Sequence, residues 1–580
     1  EWRRLLEDSQ AQSIFVSGAL WQSLQEAIRN MSPQPHVIIF DEPAGDHDVC
    51  ARLSGLIDWA ESLTDPPQLP ICRSSDVVTI IYTSGTTGTP KGVMLTQSNI
   101  VKELQCILRE IYADENDILL CLLPLQHVLA SVINVLVPLS IGAQVVFLDT
   151  LKQAEILKAL DEAGITIMVA VPQFFYLFHN RIEQELAKKS FLQRQLFQLM
   201  LRLNRFCLTA LHINLGRKLF RRIHRTFGSR LRLFISGGSP FDPRVAQYFH
   251  DMGFTILQGY GLTETTGACT VTRVNNNVIG SVGPALPETE IKILAPDENG
   301  IGEILVRGPM VMKGYYKNPA ATEEAIRDGW LFTGDLGYLD KQGNLFVTGR
   351  KKEVIVLPNG KNIYPDEIEA HYLQSPYIRE IAVVGIYHPE DRGERLHAVI
   401  VPDFDYLRAQ KVANAREVLR DQIGALSLRL PKYKRLMSYQ IQSAPLPRTT
   451  TRKIRRLELK NLIEKQQAQP TSQAVSARNL RPEDENLMAS DVGREVIRCL
   501  REDYRRQQLI EPDSNLELDL GFDSMERVEL FASLEQALNL KLPDDFGADI
   551  LTVRDLILQL EHYAGIITNA RAAARQNWSL

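Results

Sequence analysis

The stretch YTSGTTGTPKG, at residues 82–92, decides how the rest of this sequence is interpreted. It follows directly on an apolar run, residues 77–82, whose composition predicts a buried strand. Glycines and hydroxyl side chains after a strand can wrap backbone N–H groups and hydroxyls around phosphate oxygens, and Lys91 adds a positive charge. Pro90 occupies the position where a Walker-type loop requires Gly, so the stretch predicts a different kind of phosphate-binding loop. Taken alone, the same residues could also form a plain turn.

Short apolar runs recur on both sides of this stretch and alternate with segments of helical periodicity as far as about residue 347. They lie at residues 13–16, 36–40, 77–82, 145–148, 167–171 and 231–235, with a helical pattern over residues 20–28 between the first two. Strands that alternate with helices are typical of α/β layering with a parallel sheet. The pattern is already under way at Glu1, so we expect the first domain to be incomplete at its N-terminus.

Four more stretches carry chemistry and follow the first along the chain. They are QGYGLTE at 258–264, GWLFTGD at 329–335, GRKKE at 349–353 and PRTTTRK at 447–453. Together with residues 82–92 they resemble the signature motifs of the adenylate-forming superfamily (AMP-dependent synthetases and ligases), which contains acyl-CoA synthetases, adenylation domains of peptide synthetases and luciferases. The resemblance implies a large layered α/β adenylation domain, a small α+β C-terminal subdomain, ATP and Mg²⁺ as cofactors, and activation of a carboxylic acid as an acyl-adenylate.

The resemblance also implies which residues bind the nucleotide. They are Thr83, Ser84, Gly85, Thr86, Thr87, Gly88, Lys91, Gly238, Tyr260, Asp335 and Arg350. Asp335 offers two acceptors to the ribose hydroxyls, with Arg350 as a neighbouring donor. Glu264 is the expected Mg²⁺ ligand, because this hard cation prefers carboxylate and phosphate oxygens, and Thr263 would help to hold the phosphates. The SGGSP stretch at 236–240 lets the backbone approach adenine and the acyl chain closely.

Lys453 is the residue expected to stabilise the transition state. Attack of a carboxylate on the α-phosphate builds negative charge, and an ammonium that spans both groups stabilises that charge. Arg452 replaces the Gly that the family usually has before this Lys. Lys352 corresponds to the family's hinge, about which the small domain turns between adenylation and thioester formation. Without the resemblance, residues 350–352 would be a charged linker and Lys453 the start of a basic helix.

A separate signal lies near the C-terminus, in DLGFDSME at 519–526. An acid before a Ser at a helix start is most often only a helix cap. Here the pair lies in an acidic helical unit, and the stretch resembles the modification site of acyl carrier proteins. The resemblance implies that Ser524 carries 4′-phosphopantetheine, attached by a phosphopantetheinyl transferase, which would give the chain a thiol on a long arm.

These signals divide the chain into four segments. We predict an adenylation domain over 1–348, a mobile C-terminal subdomain over 349–463, a flexible linker over 464–485 and an all-α four-helix carrier domain over 486–568. The linker is predicted from its Gln, Ser, Ala and Pro residues, which show no periodicity.

The acid that is activated is predicted to be apolar. Amino-acid-activating relatives hold the substrate ammonium with an Asp, and residues 169–178 contain no acid. The LPLQH stretch at 123–127 and the helical insertion at 180–228 resemble the long-chain acyl-CoA synthetase branch, which implies a medium- or long-chain fatty acid. The expected substrate-pocket residues are His127, Gly237 and Gln258.

Two thiols compete to accept the acyl group. A tethered carrier would be present at roughly millimolar effective concentration, which favours transfer to the arm on Ser524. Free CoA is the alternative. A third possibility is a non-catalytic carrier and scaffold protein with a decayed ligase half, which Arg452 would permit. A loaded carrier could in turn supply a downstream acyltransferase or polyketide or fatty-acid machinery.

Residues 181–230 are strongly basic, with twelve Arg and Lys against two acids, Glu183 and Glu185. One interpretation is a solvated basic face over an ordinary core stripe. That stripe would consist of Leu196, Leu199, Met200 and Leu203. The other interpretation is an amphipathic surface that docks on anionic lipid and collects a lipophilic substrate.

The whole-chain net charge of −5 gives no reason to expect nucleic acid as a partner. The first ten residues are charged rather than apolar, and no run approaches the ~20 apolar residues of a membrane span. Seven scattered cysteines without a Cys-x-x-Cys pair argue for a reducing compartment and against structural zinc. We therefore expect a cytoplasmic protein, with contact at the inner membrane surface through residues 181–230 as the alternative.

Overall fold

The computed structural model describes residues 2–41, 51–62, 68, 70–84, 90–148, 150, 152–358, 361–388, 393–410, 412, 414–448, 454–468, 482–503, 510–516, 519, 520, 522, 524–543, 546, 550 and 552–576. Several residues singled out above lie outside this set, as do the side chains of Ser84 and Ser524. They are Gly85, Thr86, Thr87, Gly88, Arg452, Lys453 and Asp523. The roles assigned to these residues remain predictions.

The N-terminal elements form a small α/β unit. They are α1 (Trp2–Ser9), β1 (Ser13–Val16), α2 (Trp21–Ile28), β2 (His36–Ile39), β3 (Ala51–Arg52) and α3 (Leu53–Glu61). Strand β2 pairs in parallel with β1 and β3, and α2 buries Trp21, Leu24 and Ile28 against Val37 and Ile39. The strand-helix-strand prediction for this region is confirmed.

The strands on either side of residues 85–89 form a β-hairpin. Strand β4 (Val77–Ser84) pairs antiparallel with β5 (Pro90–Thr96), and α4 (Gln97–Glu110) follows, capped by the Thr96 side chain. Residues 85–89 therefore join two antiparallel strands. The expectation of a buried strand between helices was wrong at residues 77–82, because β5 occupies one edge and the side chains of β4 are half-buried or exposed.

The central layer is a six-stranded sheet. Its elements and the helices around it are β6 (Ile118–Cys121), α5 (Val128–Ser131), α6 (Val137–Ile141), β7 (Gln144–Phe147), α7 (Gln153–Glu162), β8 (Ile167–Val169), α8 (Pro172–Ala187), α9 (Phe191–Leu211), α10 (Gly216–Leu219), α11 (Arg221–Thr226), β9 (Leu233–Ser236), α12 (Pro243–Asp251), β10 (Ile256–Tyr260) and β11 (Thr270–Val271). The strand order is β11-β10-β9-β8-β6-β7, parallel except for β11.

Side chains along these strands alternate between two cores, as the pleat requires. Leu119 and Ile167 pack into the core on one face, and Leu120, Met168 and Phe234 into the aromatic-rich core on the other. The predicted parallel α/β layering is confirmed. Strand β7 lies at the sheet edge and is half-exposed, so the prediction of a buried strand at 145–148 was wrong in burial but right in type.

A second, antiparallel sheet packs beside the first. Its region contains β12 (Glu290–Leu294), β13 (Gly302–Arg307), β14 (Gly314–Tyr315), α13 (Pro319–Ala325), β15 (Ile326–Arg327), β16 (Trp330–Leu339) and β17 (Leu345–Arg350). Strands β12, β13, β16, β15 and β17 form one sheet, whereas β14 pairs with β5 of the hairpin. That pairing joins two parts of the chain more than 200 residues apart.

The C-terminal subdomain is α+β, as predicted. Its elements are β18 (Ile355–Val356), β19 (Asn362–Ile363), α14 (Pro365–Tyr372), β20 (Ile378–His388), β21 (Gly393–Pro402), α15 (Phe404–Ala409), α16 (Ala415–Ser427), β22 (Ser438–Ile441) and α17 (Arg456–Ala468). Helices α14 and α16 pack Ile368, Tyr372 and Leu419 against Val383 and Leu396 of the three-stranded sheet.

Four helices form the last unit in the described part of the chain: α18 (Pro482–Ala489), α19 (Asp491–Arg498), α20 (Ser524–Ala537) and α21 (Val553–Gln576). They share a core that includes Val496, Leu530 and Leu556, which agrees with the predicted helical carrier. The predicted linker, 464–485, overlaps a helix at each end, since α17 continues to Ala468 and α18 begins at Pro482, and its flexibility stays a prediction. Residues 469–481 lie outside the described residues.

The proposed core stripe in the basic region is not a core stripe. Leu196, Leu199 and Leu203 of α9 are exposed, and Met200 is half-buried. No helix in the described part of the chain is long and apolar enough to cross a membrane.

Candidate active site

The carboxyl ends of β9 and β10 lie side by side. Ser236 ends β9 and lies in register with Gln258 of β10, and Gly237 and Gly238 follow Ser236 directly. Gly238 has a φ of 83°, which favours glycine, and a β-carbon on Gly237 would lie 3.0 Å from the carbonyl oxygen of Gly259. Ligands of open α/β sheets bind at this edge.

Two buried polar side chains at this edge have no partner among the described residues. Ser236 is 2% exposed and Gln258 is 6% exposed, and the Ser236 Oγ and the Gln258 Nε2 are both unpaired. Buried polar groups are almost always hydrogen-bonded, so a polar group of a bound ligand would satisfy them. Gln258 was predicted from its motif. Ser236 opens the SGGSP stretch, 236–240, that was predicted to approach adenine and the acyl chain, but no role was predicted for its side chain.

The start of α5 reaches the same edge. His127 is the half-buried N-cap residue of α5, and two residues later the Cδ2 atom of Leu129 lies 3.6 Å from where a Gly237 β-carbon would be. Helix α5 runs into a π-helical turn at Val132–Leu136, in which Asn134 is fully buried with no partner for its amide among the described residues. π-Helical turns frequently mark functional sites. The structure thus brings α5 and the glycine pair together where the pocket was predicted.

Tyr315 connects the phosphate-loop hairpin to the predicted metal ligand. Its Oη donates a 2.8 Å hydrogen bond to the Oε1 of Glu264, and the Lys91 ammonium lies 4.9 Å from the centroid of its ring. Burial raises the pKa of Tyr315 well above its usual range, so the phenol stays a donor. The Thr83 hydroxyl bonds to the carbonyl of Lys91 across the hairpin. Sequence analysis missed Tyr315 because the β14–β5 pairing that places it leaves no local pattern.

The loop that carries Thr263 and Glu264 is tightly folded. A short 3-10 helix spans Thr263–Thr265, and a β-carbon on Gly261 would lie 1.8 Å from the carbonyl oxygen of Gly267. Glycine at 261 is therefore required for the loop to close on itself.

A buried carboxyl supports this loop from behind. Glu103 of α4 is fully buried, and its Oε1 accepts a 2.7 Å hydrogen bond from the backbone N–H of Ala268. Burial raises the pKa of Glu103 to about 8. Its other oxygen has no partner among the described residues. Sequence reasoning missed Glu103, since a single acid on a helix carries no signal.

The surroundings of the Glu264 carboxylate fit a site for Mg²⁺. One Glu264 oxygen is hydrogen-bonded to Tyr315, and the described residues contain no group of three or more His, Cys, Asp or Glu that could hold a metal ion by itself. Mg²⁺ is commonly held by one or two carboxylates together with substrate phosphates and water. A single carboxylate beside the phosphate-loop Lys91 fits that mode of binding, in which the cation would neutralise phosphate charge.

The buried Asp335 carboxylate is held in place by Tyr260 and Arg350. It is 5% exposed, its Oδ2 accepts a 2.8 Å bond from the Tyr260 Oη, and its Oδ1 lies 3.2 Å from the Nε of Arg350. Asp335 and Arg350 face each other across β16 and β17. Burial, with the Asp335 charge, raises the pKa of Tyr260 far above its usual range, so Tyr260 remains a donor. The structure therefore brings Asp335 and Arg350, which were predicted to hold the ribose, together with Tyr260, which was predicted to bind the nucleotide.

Ion pairs flank the predicted hinge on both sides. The Lys351 Nζ lies 2.8 Å from the Oε2 of Glu303 on β13, and Glu353 lies 2.5 Å from a guanidinium nitrogen of Arg456 at the start of α17. Lys352 is exposed between them. One neighbour of Lys352 is thus tied to the first body and the other to the C-terminal subdomain.

Arg456 is the centre of this second attachment. Its buried guanidinium contacts Glu353, Asp366 and Glu369. Burial is the main cause that raises the pKa of Glu369, and the Asp366 charge adds to it, while the charge of Arg456 opposes the shift. Arg456 was missed by sequence analysis, which treated the residues after Lys453 as a basic helix start.

The structure describes the backbone on both sides of Lys453, which itself lies outside the described residues. Arg448 and Ile454 form an antiparallel bridge, and the Arg455 N–H donates to the carbonyl of Pro447. Ser524 is the first residue of α20, where a helix N-terminus favours a phosphate group.

The chain matches three known protein families. The AMP-binding enzyme family matches residues 1–316, the AMP-binding enzyme C-terminal domain matches 367–453, and the phosphopantetheine attachment site matches 494–560. The last match lies within the predicted carrier, 486–568, and includes Val496, Leu530 and Leu556 of its core.

Curated relatives and solved structures agree with these matches. The chain is 34% identical over 408 residues to the long-chain-fatty-acid–CoA ligase FadD15 of Mycobacterium tuberculosis, covering 67% of this chain and 65% of that protein, just under two thirds of its length. It is 29% identical to the long-chain-fatty-acid–[acyl-carrier-protein] ligase AEE15 of Arabidopsis thaliana, over 60% of this chain and 54% of that one. ATP-bound MatB from Rhodopseudomonas palustris superposes with a TM-score of 0.61 at 25% identity, covering 80% and 81% of the two chains.

Proposed function

The chain belongs to the AMP-binding enzyme family, and from this premise we propose that it is an ATP-dependent ligase that activates a fatty acid and transfers the acyl group to a thiol. The observation that carries the proposal is the contact of Tyr315 with both Glu264 and Lys91. It gathers at one place the cation that we expect to bind phosphate and the carboxylate that we expect to bind the metal. Asp335 supplies a matching site for ribose.

In the first step, a carboxylate oxygen of the fatty acid forms a bond to the α-phosphorus of ATP while the bond to pyrophosphate breaks. Lys91 and residues 85–89 would hold the β- and γ-phosphates, and Asp335 would fix the ribose. Mg²⁺, held by Glu264, would neutralise the pyrophosphate. Lys453 would stabilise the charge at the α-phosphorus.

In the second step, a thiol gives its proton to solvent water, the resulting thiolate sulfur forms a bond to the acyl carbon, and the bond from that carbon to AMP breaks. The ion pairs on either side of Lys352 support a rotation at that residue between the two steps, because each pair lies within one body.

A fatty acid is the proposed substrate. The stretch after β8 is apolar and contains buried Phe174 and Phe175, with no acid that could bind an ammonium group. FadD15 and AEE15 are both named as ligases of long-chain fatty acids. These observations support a medium- or long-chain acid.

The proposed acceptor is the phosphopantetheine thiol of the chain's own carrier. Two contacts support it: the Ser443 hydroxyl donates a 2.6 Å hydrogen bond to Asp519, and Arg408 lies 3.3 Å from Asp555. Both join the C-terminal subdomain to the carrier. Free CoA is the second candidate, favoured by the name of FadD15.

ATP–pyrophosphate exchange with fatty acids of graded chain length tests activation. Exchange should appear with the wild-type chain and be strongly reduced, but still measurable, in Glu264→Gln. Glu290→Gln, which removes the charge of an exposed acid paired with Arg307, is the matched control and should exchange normally. Absence of exchange at every chain length would refute the ligase and favour the carrier and scaffold alternative.

Intact-mass spectrometry separates the acceptors. The chain is first treated with a phosphopantetheinyl transferase, and ATP and fatty acid are then added. An acyl mass on the wild-type chain but not on Ser524→Ala supports the carrier. If acyl-CoA accumulates while the carrier stays unloaded, CoA is the acceptor.

A further inference from the structure

Helix α9 carries apolar side chains that face solvent. The exposed fractions are 78% for Leu192, 57% for Leu196, 61% for Leu199, 46% for Leu203 and 60% for Phe206. Their spacing of four, three, four and three residues places them on one face of the helix. We call this set the α9 apolar face.

The α9 apolar face is separate from the side of the helix that packs into the protein. Leu201, Asn204 and Cys207 are buried on that side, where Asn204 donates to the carbonyl of Asp251. The helix is therefore already anchored, and the outer leucines add nothing to that packing. A contiguous exposed apolar patch usually marks a binding surface.

The helical region that contains this face carries unpaired positive charge. The charged groups of eight Arg and Lys in residues 181–230 have no hydrogen bond or ion pair in the described part of the chain. They are Lys189, Arg194, Arg202, Lys218, Arg221, Arg222, Arg225 and Arg230. Arg194 and Arg202 lie on α9 itself, and the rings of Phe197 on α9 and Phe220, the residue before α11, lie 5.2 Å apart, so α11 begins next to α9.

We propose that the α9 apolar face and the basic residues of α10 and α11 dock the protein on a bilayer with anionic headgroups. Leucine and phenylalanine side chains would enter the boundary between headgroups and acyl chains, while the arginines would pair with lipid phosphates. This surface goes beyond the proposed ligase reaction and requires none of its steps.

Charge favours this occupant over the others. A second copy of the chain would bring the same basic surface, so pairing across the α9 apolar face would set like charges against each other. A nucleic acid would meet the arginines but leave the leucines in water. An anionic bilayer satisfies both sets of side chains at once.

Cosedimentation of the full chain with vesicles, without ATP or fatty acid, tests the proposal. Vesicles of phosphatidylcholine alone are compared with vesicles in which about one third of the lipid is phosphatidylglycerol, at low and high salt. We expect strong binding to the anionic vesicles at low salt, with a loss of tenfold or more in high salt. A chain that stays in the supernatant with anionic vesicles at low salt overturns the proposal.

Three sets of variants separate the two components of binding. The triple variant Leu196→Gln, Leu199→Gln, Leu203→Gln should lower partitioning at least tenfold. Leu139→Gln with Leu428→Gln is the matched control, since these leucines are 70% and 74% exposed elsewhere, and it should bind like wild type. The charge reversal Arg221→Glu, Arg222→Glu, Arg225→Glu should abolish the preference for anionic lipid. Thermal unfolding checks that each variant is folded.

Two results would contradict the bilayer as occupant. Unchanged vesicle binding in the leucine triple variant would show that the α9 apolar face does not enter lipid. A dimer of the wild-type chain, seen by light scattering and lost in the same variant, would show that a second copy covers this face.

Discussion

The hydrogen bond from Tyr315 to Glu264 gives a sharp test of the candidate site. Tyr315→Phe removes the 2.8 Å bond but keeps the ring beneath Lys91. A hydrogen bond to a charged group contributes about 2 kcal/mol. If the bond holds Glu264 in position for the metal, its loss lowers kcat/KM for pyrophosphate exchange by about thirty-fold. Most of the loss should appear at limiting Mg²⁺.

Two further variants make this prediction specific. Tyr316→Phe alters the neighbouring phenol, whose ring lies 4.9 Å from the Lys317 ammonium, and should exchange like wild type. In a double-mutant cycle, Tyr315→Phe should cost little once Glu264→Gln has removed the carboxylate, because the two changes break the same interaction. Wild-type kcat/KM in Tyr315→Phe at limiting Mg²⁺, or costs that simply add, would refute the reasoning.

Three other predictions follow from buried charge and from the carrier contact. The pKa of Glu103 is raised from 4.5 to about 8. The protonated carboxyl therefore stabilises the fold below pH 4.5, and this contribution is lost as the pH rises towards 8. Thermal melting curves recorded across this pH range should show the loss of stability in the wild type but not in Glu103→Gln. An equally steep pH dependence in the Gln variant would contradict the assignment. Arg456→Met leaves three carboxylates without their cation and should lower the free energy of unfolding of the C-terminal subdomain by about 3–5 kcal/mol. Denaturant titration measures this change. A loss below about 1 kcal/mol would argue against a buried charge network. Reversing Arg408 to Glu should slow acyl loading of the carrier with pyrophosphate exchange unchanged, and Asp555→Arg in the same chain should restore loading; no rescue would mean that this contact does not guide transfer.

The motifs found most of the candidate site because their residues are local in sequence. Asp335 and Arg350 were assigned from separate motifs, and the β16–β17 pairing brings them into contact. Tyr315 and Glu103 were out of reach, since each acquires its role through a partner far along the chain. Long-range strand pairing and the burial of a single acid leave no periodic trace in sequence.

Helix α9 illustrates a different limit. Its apolar periodicity was visible, but periodicity reports which side chains share a face and not whether that face meets a core. The helix carries two apolar faces, one packed and one exposed, and the sequence pattern alone could not assign Leu199 to the exposed one.

The ion pairs near Lys352 constrain how the C-terminal subdomain can turn. Lys351 is tied to Glu303 and Glu353 to Arg456, so a rotation at Lys352 leaves both pairs intact. Helix α17, which begins at Arg456, packs in the C-terminal subdomain, and the carrier contacts the same subdomain through Ser443 and Arg408. In the proposed mechanism, one turn of this subdomain at Lys352 would move Lys453 away from the α-phosphate and bring the carrier with it, which would couple the end of adenylation to the approach of the thiol.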